Sequence, residues 1–235
     1  MAIVAGMRKF GHVLLDLLYP PQCYGCGRAG VLFCTVCRDS VPRLAPPLCE
    51  LCGRPQTSLG RCPACVDHPM RIDSIRSVAL FEGVLREAIH GLKYGNVRDL
   101  ADDLGGMLAR YWRDHGWSAD ALVPVPLHPR RRRERGYNQS LLLARRVERD
   151  TGVTVVDGVL RRHRYTMSQT HLGAQERRQN VSGAFSCVDG RLTGKNVVLI
   201  DDVCTTGSTL ESCSVALYAG GARSVRALTL ARACG

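Results

Sequence analysis

The chain has 235 residues, 45% of them hydrophobic, with 32 Lys and Arg against 21 Asp and Glu for a formal charge of +11. This is a globular composition with enough apolar matter for one large or two unequal domains. No apolar run approaches the ~20 residues that span a bilayer, so a helical membrane protein is excluded.

In chain order, the first feature is "MRKFGHVLLDLLYP". It has a positive start and a short apolar patch, but Asp16 interrupts the patch and no small-residue cleavage site comes after it, so a signal peptide is not expected and the protein is expected to be cytoplasmic. Val13, Leu14, Leu17 and Leu18 fit one face of a short helix ending at Pro20 and Pro21, expected to dock on the protein's own surface, with a membrane-surface or partner-binding helix as the alternative.

Eight of the 12 cysteines then form four C-x-x-C pairs: Cys23 and Cys26, Cys34 and Cys37, Cys49 and Cys52, Cys62 and Cys65. Each such turn presents two thiolates to one tetrahedral ion, and a second turn a short loop away completes a four-sulfur site. Gly27 and Gly53 directly follow the first and third turns, where a tight sulfur-binding loop favours positive φ. Without an export signal the thiols should stay reduced and bind metal, with zinc the default. Four sulfurs leave no coordination position for water, so both sites read as structural. The segment has few large apolar residues, which makes metal binding the expected source of its folding energy. Sequential pairing gives two tandem ribbons; a cross-brace pairing of the same turns stays open. Iron–sulfur clusters or redox-active dithiols are served less well by two such regular quartets. Cys187, Cys204, Cys213 and Cys234 lack metal-like spacing, and ordinary packing suffices for them.

Past "DHPMRIDSI" the pattern changes, which divides the chain into residues 1–70, an N-terminal helix and double ribbon, and residues 71–235. "RSVALFEG" predicts a strand. Leu85, Ile89 and Leu92, then Leu100, Leu104, Met107 and Leu108, recur at helical spacing with a break near Gly95. "ALVPVPLH" predicts a buried strand, "NQSLLLARRVERDTG" a helix, "KNVVLIDDV" a second buried strand, "STLESCSVALYAGGA" a helix and "SVRALTLAR" a strand. This alternation implies an α/β fold, a mostly parallel sheet with helices on both faces, binding its ligand at the carboxyl ends of the strands. Between His128 and Arg178 thirteen arginines face five acidic residues, a stretch that attracts nucleic acid or a multiply phosphorylated small molecule.

The most specific stretch is "VVLIDDVCTTGST", Val197 to Thr209. A buried strand delivers Asp201 and Asp202, and Thr205, Thr206, Gly207, Ser208 and Thr209 lead into a helix. Backbone N–H groups at a helix start, with hydroxyls beside them and a glycine that admits close approach, suit a phosphate monoester. Two carboxylates beside a phosphate nest repel the phosphate itself. They suit a ligand that also presents hydroxyls or a magnesium ion, as ribose 5-phosphate does.

The stretch is similar, at every position, to the phosphoribosyl pyrophosphate (PRPP) signature of type I phosphoribosyltransferases. With the four cysteine turns, "LLDLLYPP", "GLKYG", "VPVPLHPRRRRERGYNQS" and "SQTHLGAQERRQNVSGAF", nearly the whole chain resembles the ComF family of competence-related proteins. That resemblance implies a zinc-binding module ahead of a parallel-sheet phosphoribosyltransferase-like domain, and a link to the DNA-uptake machinery. It implies that Asp201 and Asp202 meet the ribose hydroxyls directly or through magnesium, that Thr205 to Thr209 cradle the 5-phosphate, and that the loop at His128 to Arg130 contacts pyrophosphate. Arg135, Tyr137 and Asn138 would line the site, Lys93 would reach pyrophosphate, and Arg164, Gln169 and Arg178 would lie on a flap that closes over PRPP. Three functions share this frame: transfer of 5-phosphoribosyl to an acceptor the residues do not name, sensing of PRPP without transfer, and single-stranded DNA binding by ribbons and arginines. Aromatic residues for base stacking are scarce, at 6%. A homodimer is compatible with the resemblance and is not specified by it.

Overall fold

The computed structural model describes residues 20–163 and 183–234; the expected N-terminal helix and most of the expected flap lie outside them. Two cysteine knuckle pairs come first, with a short helix in each: α1 (Thr35–Asp39) and α2 (Pro63–Asp67). Next are β1 (Ser74–Leu80), α3 (Gly83–Tyr94), α4 (Leu100–Asp114), β2 (Ala121–Pro124), α5 (Pro129–Arg135) and α6 (Gln139–Thr151). The chain ends with β3 (Leu160–Arg162), β4 (Phe185–Cys187), β5 (Asn196–Cys204), α7 (Ser208–Ala219) and β6 (Ser224–Arg232).

The main sheet has the order β1-β6-β5-β2, and all three pairings are parallel. All four residues of β2 are buried, as are Val197 to Ile200 of β5, the continuous apolar runs that a sheet covered on both faces requires. Odd and even positions of β5 feed different cores. Val198 and Ile200 share a core with Ile89 of α3, Leu104 of α4 and Leu143 of α6, while Val197 and Leu199 share one with Leu210, Cys213 and Leu217 of α7.

The helices form where the apolar spacing placed them. In α3, Leu85, Ala88, Ile89 and Leu92 share the buried face and Gly95 ends the helix. In α6, Asn138 caps the first turn by accepting from the Ser140 N–H at 3.1 Å, and Gly152 stops it in the left-handed region. Two elements escape the pattern. Helix α5 buries no residue and so has no apolar period to read, and β3 with β4 forms a separate antiparallel pair of only three residues each.

Neither ribbon builds a core of its own. Phe33 and Val41 of the first join the α3, α4 and α6 core, and Leu51 of the second joins the α7 core. The ring of Tyr24 lies so close over Gly91 of α3 that a Cβ there would overlap it, and Arg38 pairs with Asp103 of α4 at 2.9 Å. Gly91→Ala is therefore expected to push Tyr24 off α3 and destabilise the protein by about 1–3 kcal/mol, read as a lower urea midpoint at unchanged zinc content.

Candidate functional site

The cysteines settle the pairing left open by their spacing. The sulfurs of Cys23, Cys26, Cys34 and Cys37 lie within 4.8 Å of one another, and so do those of Cys49, Cys52, Cys62 and Cys65, which is sequential pairing and excludes the cross-brace. The Cys26–Cys34 and Cys52–Cys62 sulfur separations are both 3.7 Å. A tetrahedron with metal–sulfur bonds of ~2.3 Å places its sulfurs about that far apart, so each quartet fits zinc. Gly27 and Gly53 hold φ of 75° and 68° as the knuckle turns require. Burial raises the Cys23 thiol, but the backbone N–H groups of Cys34, Cys26 and Gly25 outweigh it and bring it down to about 6. Cys49 is treated alike by burial and then by Cys62, Cys52 and Leu51, and also falls to about 6. The fold thus favours thiolate at one sulfur of each quartet before any ion arrives.

The second centre lies at the carboxyl end of β5. The strand runs on through Cys204, opposite Arg232 of β6, so the acidic pair is within the ladder and not beyond it. Successive strand residues face opposite ways, which gives the two carboxylates different partners. Asp202 is buried and its Oδ1 takes a 2.7 Å ion pair from Lys93 Nζ of α3. Its Oδ2 is buried and has no hydrogen-bond partner among the described residues. Asp201 Oδ1 accepts from Ser140 Oγ at 2.8 Å and from the Asp202 N–H at 2.9 Å. Burial first and the Asp202 charge second push Asp201 up to about 7, against the pull of Ser140 and Lys93.

Three residues past the strand, Gly207 takes a left-handed φ of 85° as the cap of α7. Thr206 Oγ1 and Ser208 Oγ are 2.7 Å apart, and the Ser208 N–H points at Thr206 Oγ1 at 3.3 Å. Two clefts meet over this edge, sharing Lys93, Tyr94, Asp201 and Thr209. One, of about 260 Å³, adds Thr205, Gly207 and Ser208, with Phe81 and His90 as its aromatic wall. The other, of about 160 Å³, adds Asp202, Arg131, Arg135, Gln139 and Arg162. A larger hollow of about 680 Å³ adjoins them, with Arg98, Arg131, Arg133 and Arg135 on its walls.

The expected site residues divide accordingly. Lys93, Arg135, Asp201, Asp202, Thr205, Gly207, Ser208 and Thr209 line these clefts, and Thr206 holds the loop through its hydroxyl. Tyr137 does not: it is buried and its hydroxyl donates to the Leu92 carbonyl. Asn138 is the α6 cap and donates to the Val125 carbonyl at 3.1 Å, so its side chain is engaged in the fold. His128 caps α5, and Arg130 pairs with Glu134 at 2.9 Å; neither is among the described residues that line these two clefts. Arg164, Gln169 and Arg178 lie outside the described residues. Sequence reasoning missed Ser140, Arg131 and Arg162. Ser140 reads as one more residue of a helix start, and the two arginines as members of a long basic run.

Two domain families and several curated relatives match the chain. A double zinc ribbon domain matches residues 14–66, and a phosphoribosyl transferase domain matches residues 136–233. The chain is 33% identical over 230 residues to "DNA utilization protein YhgH" of Escherichia coli K12, covering 92% of this chain and 99% of that one. It is 30% identical over 208 residues to "Competence protein F" of Haemophilus influenzae Rd, covering 85% and 90%. Glutamine PRPP amidotransferase from B. subtilis is 27% identical over 55% of this chain and 25% of its own, with a TM-score of 0.38.

Protonation of Asp201 also contributes to stability. Between its ordinary 3.8 and about 7 the folded protein holds a proton that the unfolded chain has lost, so this contribution is complete below pH ~4 and disappears as pH rises through about 7. Urea unfolding from pH 5 to pH 8 should show wild-type stability declining over that window, with a shallower decline in Asp201→Asn.

Proposed function

We propose that this chain, which belongs to the ComF family of double-zinc-ribbon proteins with a phosphoribosyltransferase domain, binds magnesium and PRPP across the carboxyl edge of its sheet. The observation that carries this reading is the pairing of a buried carboxylate oxygen left without a hydrogen-bond partner among the described residues, Asp202 Oδ2, with a left-handed glycine opening a 12-residue helix two loop hydroxyls away. An unsatisfied buried acceptor calls for a hydroxyl or cation, and an open helix start calls for an anion. One ligand that supplies both within a few ångströms is a ribose 5-phosphate.

In this reading the 5-phosphate rests on Thr205 to Thr209, the ribose hydroxyls reach Asp201 and Asp202, and pyrophosphate lies toward Lys93, Arg131, Arg135 and Arg162. Magnesium would be held by the acidic pair and would supply charge neutralisation on the departing pyrophosphate. The chain's own contribution to transfer is positional and electrostatic. Asp201 and Asp202 favour positive charge developing on the ribose ring, the arginines and Lys93 favour the leaving group, and the strand and helix hold both halves in register. The reaction is displacement of pyrophosphate from the anomeric carbon by an acceptor. The aromatic wall of Phe81, His90 and Tyr94 gives that acceptor a place to stack.

A second reading has its own support. Arg135 lies over the Tyr94 ring at 5.5 Å, and Tyr94 is 76% exposed beside the large arginine-walled hollow. A backbone-tracking groove with a stacking ring suits single-stranded DNA, in keeping with relatives named for DNA utilization and competence. The role in DNA uptake would then draw on both sites. Among the described residues no helix is long and apolar enough to cross a membrane.

Calorimetry of zinc-loaded protein with PRPP and magnesium should give saturable binding that weakens by at least about 100-fold in the double variant Asp201→Asn, Asp202→Asn. Pyrophosphate release on adding an acceptor separates transfer from sensing. For the DNA reading, the affinity of a labelled oligonucleotide should fall steeply with salt, and the slope should shrink in Arg98→Ala, Arg133→Ala.

A further inference from the structure

Arg232 ends β6 with its side chain only 1% exposed. Its Nη1 donates to the Cys52 carbonyl at 2.7 Å and to Cys204 Sγ at 2.9 Å. Its Nε has no hydrogen-bond partner among the described residues, and there it makes no ion pair with a carboxylate. A buried guanidinium needs a counter-charge nearby. One source is the second cysteine quartet, to which Cys52 belongs: zinc held by four thiolates would be a doubly negative centre.

The other end of this contact is the phosphate loop. Cys204 is the last residue of β5 and the one before Thr205, and its carbonyl accepts from the Ala233 N–H at 2.9 Å. A second route joins the same two places. The Ile75 N–H donates to the Leu51 carbonyl at 2.7 Å, the Cβ position of Gly53 lies 2.5 Å from the Ile75 carbonyl oxygen, and Ile75 Cδ1 lies 3.0 Å from that of Gly207. Beyond it, Glu211 in the first turn of α7 accepts from the Arg71 and Ile72 N–H groups at 2.9 and 3.0 Å. The second ribbon is thus packed behind the loop, with one buried cation bridging them.

We infer that Arg232 is a positioning residue through which the zinc-loaded second ribbon fixes the conformation of the Thr205–Thr209 loop. The proposal rests on the reading of that loop as the 5-phosphate site for its ligand, but not for the coupling itself. By linkage, zinc in the second ribbon and a ligand on the loop stabilise each other by the same factor. Loss of that zinc removes the charge that Arg232 faces and frees both the guanidinium and the loop. Zinc status would then control ligand binding at a site with no metal ligand in common with the ribbon.

Arg232→Met keeps the apolar stem and removes the charge and both hydrogen bonds. Two measurements on full-length protein loaded with two zinc ions decide the matter. Hydrogen exchange of residues 204–209 should be about ten-fold faster in Arg232→Met than in wild type, while residues 85–92 of α3 exchange at the wild-type rate. In wild type, saturating PRPP and magnesium should slow release of one of the two zinc ions to the zinc-selective chelator TPEN by about five-fold or more, and this protection should vanish in the variant. Unchanged exchange at residues 204–209, or equal protection in both proteins, overturns the inference. Faster exchange in the variant with no PRPP binding by wild type keeps the coupling and rejects the PRPP reading. Should Arg232→Met fail to retain two zinc ions, the wild-type measurement alone decides: no protection of either zinc by bound PRPP overturns the coupling.

Discussion

A central parallel strand has both of its backbone hydrogen-bonding rows committed to neighbours, so its direction and end point are fixed by the sheet and not by the loop after it. Strand β5 is held in this way between β2 and β6, and its ladder with β6 continues to Cys204 opposite Arg232. Two carboxylates are thereby carried to positions where burial would otherwise expel them. Lys93 at 2.7 Å offsets the charge of Asp202, and Ser140 with the Asp202 N–H satisfies one oxygen of Asp201. The strand leaves Asp201 with a raised pKa and Asp202 with an oxygen that has no hydrogen-bond partner among the described residues, and these two imbalances mark the candidate site. Sites of this kind are where local rules are broken and a ligand completes the balance.

The ribbons, expected from their composition to lack a core of their own, pack into the cores of the sheet. Each is too poor in apolar residues to close a core, and each inserts a few into the sheet's two cores. The first leans on α3, the helix that supplies Lys93, through Tyr24 over Gly91. The second leans on the loop side through Leu51, Gly53 and Cys52. The two cysteine quartets therefore lie behind the two halves of the cleft, and zinc bound there would be coupled to the folding of each half.

Most of the frame was legible in the sequence because it derives from period and punctuation. Strands β1, β2, β5 and β6 and helices α3, α4, α6 and α7 have strong apolar patterns and clear stops, and the cysteine turns have ligand spacing. Ligand pairing was not legible, since tandem and cross-braced sites use identical turns. Helix α5 was missed because four consecutive arginines carry no apolar signal. Within the site, residue types that match a motif were found, while those that act by position alone were not. Ser140 reaches Asp201 only because α6 starts beside β5, and Arg162 enters the cleft from a three-residue strand. Tyr137 and Asn138 also stand in a motif, and the structure engages their polar groups with the Leu92 and Val125 carbonyls.

The central claim is that one ligand joins the acidic pair to the phosphate nest. A crystal structure of zinc-loaded protein with PRPP and magnesium tests it most directly. The account predicts the 5-phosphate against the backbone N–H groups and hydroxyls of Thr205 to Thr209, with the ribose hydroxyls or magnesium at Asp201 and Asp202. PRPP bound instead in the hollow walled by Arg98 and Arg133, with the nest empty, would contradict it.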